Sequence, residues 1–326
     1  MINVELPDVR LRRLPFYLAM EEWVARAFAA EDYLFMWRVE PTVICGRNQD
    51  MSAEVNMDYC RDEGIDVVRR RSGGGCVYAD QNNFMFSFVA PGGDVSLNFA
   101  RYTAAMAGML RSLGFDATVS GRNDLLVDGL KVSGSAFYRL HDRSIVHGTM
   151  LYDIDAERMS RAITPSRAKL EAKGVKSVPS RVTSLKNLGI GLSLDEFGRY
   201  AVDYLCQDQK ITLTATDIAQ IEELEQRYYD PAFLRGRSYA NDCLHRRQRI
   251  EGIGEFDVKI ELNNQKIKHI NIGGDYFAPD GGAQAIEQAL EGCCYDKDEI
   301  AKAVHGLALD SIIHDLKHEQ LLNILI

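Results

Sequence analysis

Apolar positions in the first part of the chain follow two rhythms. From Pro15 to Glu31 (PFYLAMEEWVARAFAAE) they recur at helical spacing behind an opening proline, which predicts an amphipathic helix with one buried stripe. Short runs then follow, YLFMW at 33–37, TVICG at 42–46, IDVVRR at 65–70, GCVYA at 75–79 and FMFSFV at 84–89, separated by turn residues as in a mixed or antiparallel sheet. A second helix is predicted from about Ser96 to Leu113. In LLVDGLKV (125–132) the pair Asp128-Gly129 stands between two apolar runs, a strong hairpin signal, and sets Lys131 one residue inside the return strand.

From Ile154 to Gln226 helical spacing dominates, interrupted by a polar and basic stretch from Pro165 to Lys186. The segment RYYDPAFLRGRSYAND reads as a domain border. Beyond it, FDVKIEL (256–262) and KIKHINI (266–272) alternate around Asn263-Asn264-Gln265, and two or three helices follow Gly281. The expectation is an α+β protein: a mixed-sheet domain over residues 1–245 and a small α+β domain over 246–326. There is no internal repeat.

Composition narrows the classes. At 326 residues, with 46% hydrophobic and 26% charged positions, the chain is ordinary globular material and long enough for two cores. Its 38 basic and 47 acidic residues leave a net charge of −9, which argues against nucleic acid or an anionic membrane as a general partner. No run approaches the roughly 20 apolar residues of a membrane helix, and MINVELPDVRLRR lacks a signal core, so a cytoplasmic protein is expected. Seven scattered cysteines without a C-x-x-C pair indicate neither a disulfide framework nor a zinc ribbon, but buried thiols in a reducing compartment.

Four segments carry candidate chemistry. In VVRRRSGGGCVY (67–78), glycines after a strand admit close backbone approach, and Arg69, Arg70 and Arg71 beside them suit a phosphate or carboxylate; a plain turn is the competing reading. In GRNDLLVDGLKVSGSAF (121–137), period-2 alternation puts Lys131, Ser133 and Ser135 on one strand face. That is either a solvated edge strand or a fixed ammonium aimed at developing phosphoryl or carboxyl charge, with Gly134 allowing approach. Asn123 and Asp124 fit a metal, polar substrate groups or a turn. His147, in HGTMLYDID, is a satisfied structural histidine or a catalyst. Between Arg161 and Lys186 seven basic residues face only Glu171, a local excess of +6 that is a solvated face or a dock for phosphate or an acidic protein. His314 with His318, and Cys293-Cys294, read as surface and packing residues.

RRRSGGGCVYADQNN, SGRNDLLVDGLKVSGSAF, HGT at 147–149 and KGVKSVPSRVTSL (173–185) occur in the order seen in the lipoate–protein ligase A family. The resemblance also takes in TVICGRNQD and RYYDPAFLRGRS and extends through nearly the whole chain. It implies a biotin/lipoate ligase-type catalytic domain with a small accessory domain. The implied reaction activates lipoate with ATP to lipoyl-AMP and transfers the acyl group to a lysine of a lipoyl domain or glycine cleavage H protein. Carried over by motif, Lys131 matches the catalytic lysine, and Arg70, Ser72, Gly73, Gly74 and Gly75 wrap the acyl-adenylate. Val77, Asn83, Asn123, Ser133, Gly134, Ser135, His147 and Thr149 fall at substrate and adenine positions, with Asp124 placed for Mg2+ and phosphate. Lys173, Lys176 and Arg181 would dock the acidic acceptor. A monomer is expected.

Two positions depart from the family pattern. Ala79-Asp80-Gln81-Asn82-Asn83 stands where His-Asp-x-Gly-Asn is common, which bears on local pocket shape and acyl preference and not on the adenylation core, and Val146-His147 stands where two histidines precede Gly-Thr. One alternative is an ATP-independent acyltransferase of the same fold, which needs a cysteine thioester. Cys76 is the only cysteine within a motif, and none lies between it and Cys206. A second is a non-catalytic lipoyl-domain binding protein, against which the glycine loop and Lys131 speak.

Overall fold

The structure is a computed structural model and describes residues 1–92, 94–120, 123–163, 182–235, 243–278 and 282–326. In chain order the strands are β1 (Ile2–Glu5), β2 (Tyr33–Trp37), β3 (Thr42–Cys45), β4 (Asp66–Arg69), β5 (Val77–Ala79), β6 (Phe84–Pro91) and β7 (Ala117–Ser120). They continue as β8 (Asp124–Val127), β9 (Leu130–Leu140), β10 (Arg143–Met150), β11 (Lys210–Thr212), β12 (Leu244–Ile250), β13 (Gly254–Asn263) and β14 (Lys266–Gly274).

An eight-stranded sheet runs β11-β1-β2-β6-β10-β9-β8-β7, and a second sheet runs β4-β3-β5. The large sheet is mixed: β1 pairs in parallel with β11 and β2, while the strands from β2 onward pair antiparallel. Alternation along its central strands feeds a core on each face. Tyr33, Phe35, Trp37, Met85 and Val89 pack with the Leu14–Ala27 helix. Leu34, Phe84, Phe86, Phe88 and Val146 pack with the helices Val95–Ser112 and Leu194–Cys206. Strands covered on both sides need apolar residues at nearly every position, so Ser87, His147 and Thr149, all buried, stand out as polar exceptions.

The hairpin residues behave as their types require. Asp128 (φ 50°) and Gly129 (φ 77°) both take the left-handed conformation of a two-residue turn, as do Asn264 and Gln265 between β13 and β14. Other expectations are corrected. The first helix stops at Ala27 rather than Glu31. Strands β1 and β11, with four and three residues, are too short to leave a periodic signal and exist through parallel pairing with each other. Strand β12 (LHRRQRI) is polar and largely exposed, so only its register with β13 makes it a strand. Helices Gln284–Leu290, Lys297–Val304, Leu309–Ile312 and His318–Leu325 cover the β12-β13-β14 sheet around a core of its own. Among the described residues no helix is long and apolar enough to cross a membrane.

The C-terminal unit leans on the first through polar contacts and backbone. Gly274 N–H donates to Asn48 O (2.7 Å), Gly74 N–H donates to Tyr276 O (3.3 Å), and Arg247 pairs with Glu54 (3.0 Å). Lys259 Nζ reaches Asp50 at 2.6 Å. Burial works to raise the Asp50 carboxyl, but hydrogen bonds from Lys259 and Ser52 outweigh it and hold it at about 2. A depressed carboxylate contributes stability that is fully present above its ordinary value of 3.8 and is lost as pH falls through about 2. Asp50→Asn should therefore lower stability by about 1 kcal/mol near neutrality, for a partly exposed pair. Denaturation of both proteins across pH 2–7 checks this: the gap should close between pH 4 and 2, and a gap independent of pH would refute it.

Candidate active site

Between the glycine loop, β9, β10 and the start of the first helix lies a cavity of about 210 Å³. One part of its wall is apolar, from Leu14, Leu18, Trp37, Ile44, Val77, Met85, Leu151, Met159 and Ile163. The other gathers Asn123, Asp124, Lys131, Ser135, His147 and Thr149. A mostly apolar wall with a few convergent polar groups suits a small molecule with an aliphatic body and a polar head.

Lys131 lies on β9, which the sheet order places between β10 and β8, so the edge-strand reading is excluded. A β-bulge shifts the register at Leu125/Leu126: Leu126 pairs with Lys131 and Leu125 with Ser133, leaving Val132 as the extra residue. This break in alternation puts Lys131, Gly134 and Ser135 on the cavity wall, whereas Ser133 is buried and does not line it. The ammonium of Lys131 sits 2.6 Å from Asp124 Oδ1, a pair with side chains 21% and 8% exposed. A Cβ at position 134 would stand 2.7 Å from Lys131 Nζ, so glycine there gives the lysine its path. Val182 bridges to Lys131 and also lines the cavity, and Thr183 N–H donates to Lys131 O at 2.9 Å. Asn123 is fixed by donating to Ser135 O (2.8 Å).

The three arginines turn inward. Arg69 Nη1 donates to the carbonyls of Gly46, Arg47 and Gln49, and its Nε to Leu234 O. Arg70 donates to Ser72 Oγ (2.8 Å), Ile44 O (3.0 Å), Gly73 O (2.6 Å) and Gly75 O (2.9 Å), so it lines the cavity while holding the glycine loop in shape. Burial pushes its guanidinium down to about 10, still protonated at neutral pH. Arg71 pairs with buried Glu22 at 2.8 Å. The reason is local: backbone carbonyls of two adjoining turns converge on each guanidinium, and a planar five-donor group satisfies several of them at once. A Cβ on Gly46 would lie 1.9 Å from Gly74 O, which shows how closely the two segments pass.

Glu21 is a site residue the sequence reading missed. It is fully buried, and His147 Nδ1 (2.9 Å), Ser87 Oγ (2.6 Å) and Tyr138 Oη (3.2 Å) converge on its carboxylate. His147 Nε2 meets Ser72 Oγ at 2.7 Å, which accepts from Arg70 Nε. An imidazole carrying its hydrogen on Nδ1 satisfies every donor and acceptor along this chain from helix to glycine loop. Its signal was a glutamate on a helical stripe of otherwise apolar residues, four positions from Tyr17. Glu21→Gln brings an NH2 donor against these donors and should cost about 1–3 kcal/mol. Urea denaturation checks it; an unchanged midpoint would show that the network does not support the fold.

The cavity brings together Arg70, Gly74, Gly75, Val77, Asn123, Asp124, Lys131, Gly134, Ser135, His147 and Thr149. Ser72 is fully buried behind it. At Gly73 a Cβ would lie 2.3 Å from Tyr276 O, so that glycine faces the C-terminal unit. Asn83 also falls outside the cavity, donating to Asp80 (2.8 Å) and accepting from Tyr152 N–H (3.0 Å). Lys173, Lys176 and Arg181 lie outside the described residues. No group of three or more His, Cys, Asp or Glu that would hold a metal exists among the described residues. Asp124 brings one carboxylate, engaged by Lys131.

Comparison with known proteins adds an independent line. The description "Lipoyl protein ligase A/B catalytic domain" matches residues 14–206, and "Bacterial lipoate protein ligase C-terminus" matches 243–325. The chain is 33% identical over 315 residues to lipoate–protein ligase 1 of Staphylococcus aureus, covering 94% of this chain and 95% of that protein. It superimposes on Plasmodium falciparum LipL1, solved with lipoate, with a TM-score of 0.78 at 19% identity, covering 99% and 97%. The bipartite lipoate ligase of Thermoplasma acidophilum, solved in a study with its E2 lipoyl domain, gives a TM-score of 0.64 at 25% identity, covering 74% and 98%.

Proposed function

The chain belongs to the lipoate–protein ligase A family, and from that premise and the geometry of the cavity we infer that it activates lipoate with ATP and passes the lipoyl group to an acceptor lysine. The observation that carries this reading is Lys131, a half-buried ammonium at the polar end of an apolar cavity, held by one carboxylate beneath a glycine loop.

The apolar wall binds the aliphatic body of lipoate and leaves its carboxylate at the polar end. In the first step a carboxylate oxygen attacks the α-phosphorus of ATP and pyrophosphate leaves with the electrons of the broken P–O bond. Negative charge then gathers on α-phosphoryl and acyl oxygens, where Lys131 stabilises it without reorganising. Asp124 keeps the ammonium oriented until those anions compete for it. In the second step the acceptor amine attacks the acyl carbon of the mixed anhydride, the C–O bond to AMP breaks, and the amide forms. Mg2+ would be held by Asp124 together with phosphate oxygens, as that ion usually binds, and would neutralise triphosphate charge.

Acceptors are assigned to lipoyl domains of 2-oxoacid dehydrogenase E2 subunits or to H protein, a reading supported by the E2 lipoyl domain studied with the archaeal relative. A catalytic domain up to about residue 245 and an accessory domain beyond it are supported by the separate C-terminal core and by β12 opening that sheet at Leu244. The test is lipoate-dependent ATP–pyrophosphate exchange. Exchange is expected; its absence, with acyl transfer from an acyl carrier protein instead, would replace the ligase by an ATP-independent transferase.

A further inference from the structure

Cys45 and Cys76 have no part in the reaction above. Cys45 ends β3 and Cys76 precedes β5, and the antiparallel register, Thr42 opposite Ala79 and Ile44 opposite Val77, sets them across from each other. Their sulfurs stand 3.3 Å apart. An approach of roughly 1.3 Å reaches the disulfide bond length of about 2.05 Å, and cross-strand neighbours have Cα separations in the range disulfides span. Cys45 is fully buried, whereas Cys76 is half-buried and forms part of the cavity wall, which gives a small oxidant a route to it.

The surroundings favour reactivity. Cys76 donates its thiol hydrogen to Cys45, and this bond, then Arg69 and Arg70, holds Cys45 below the usual thiol range against the effect of burial. The same hydrogen bond, with burial, raises Cys76. A thiol whose anion is favoured by neighbouring arginines and a donated hydrogen bond oxidises more readily than an isolated buried one. The residues just before each cysteine are also gripped by one group: Arg70 donates to both Ile44 O and Gly75 O.

We propose that Cys45 and Cys76 are a modification site, a dithiol that closes to a reversible disulfide and thereby disables the glycine loop. With hydrogen peroxide as oxidant, the Cys76 sulfur attacks a peroxide oxygen and gives up its proton as the O–O bond breaks, leaving a sulfenic acid and one water. The Cys45 sulfur then displaces the sulfenic oxygen as water and the S–S bond forms; two thiol sulfurs are oxidised and one peroxide is reduced. Closure draws Cys76 and Gly75 toward β3, and the loop leaves the geometry in which Arg70 holds it. A small-molecule thiol reverses the step by exchange.

The reduced full-length chain is treated with hydrogen peroxide, its remaining thiols are alkylated, and its peptides are mapped by mass spectrometry, with lipoate-dependent pyrophosphate exchange followed in parallel. A peptide joining Cys45 to Cys76 is expected, with exchange falling about ten-fold, as small displacements of positioning groups do, and returning on addition of dithiothreitol. Cys45→Ala, and Cys45→Ser as a second variant, should form no such peptide and should lose less exchange than the parent at the same peroxide dose. Absence of the joined peptide, or equal inactivation of the variants and the parent, would overturn the proposal. The exchange readout rests on the ligase reading and the peptide map does not. No exchange in the reduced protein would fault that reading, while the map still decides the disulfide.

Discussion

Lys131→Ala should abolish lipoate-dependent pyrophosphate exchange, by a factor of about 10²–10³, the size of effect seen when a preorganised group facing transition-state charge is removed. The loss should fall on kcat rather than on the affinity for lipoate, because the apolar wall proposed for the aliphatic body does not include the ammonium. Folding should survive, since the side chain is one-fifth exposed and the backbone of β9 keeps its pairing on both sides. Lys131→Arg should not restore the rate: the space over Gly134 admits an ammonium at 2.7 Å from where a Cβ would be, and a planar guanidinium is larger and differently shaped. Single-turnover formation of the acyl-adenylate measures this, and a variant within a few-fold of the parent would remove Lys131 from the chemistry.

Arg70→Lys should be nearly as damaging for another reason. Its guanidinium makes four hydrogen bonds in different directions, to Ser72 Oγ and to the carbonyls of Ile44, Gly73 and Gly75. An ammonium has three donors on a single atom and cannot span them. Carbonyls left unpaired in a buried loop should lower stability by about 2–4 kcal/mol. The loop then no longer holds the cavity wall, and exchange should fall about 100-fold. Arg71→Ala is the contrast. It removes one partner of Glu22, which keeps Arg26 at 3.1 Å and Tyr228 at 2.6 Å, and the cost should stay within about 1 kcal/mol. Equal effects at positions 70 and 71 would show that the arginines act as a pooled charge, not as a fitted brace.

Several parts of the site were legible because they depend on local chemistry. Asp128-Gly129 specifies a tight turn by backbone conformation alone, so the position of Lys131 at the start of β9 followed. The glycines beside the strand arginines marked a backbone that has to pass close to something. What was not legible is where those arginines point. A run of three reads as positive charge awaiting an anion, yet carbonyl partners from residues 44 to 49 and from Leu234 claim two of them. Likewise, strict alternation assigned Ser133 to the face of Lys131, and one bulged residue moved it off the wall.

An α+β chain with a glycine loop, a hairpin lysine and a separate C-terminal unit can be read from the residues alone, because turn chemistry, periodicity and motif order act over a few residues at a time. That Glu21, from a helix more than a hundred residues before His147, closes the polar network behind the loop, and that Cys45 meets Cys76, emerges once the chain is folded. Those are contacts between segments distant in the chain. They are set by sheet register and by the need to satisfy every buried donor and acceptor, conditions that no short stretch of sequence contains.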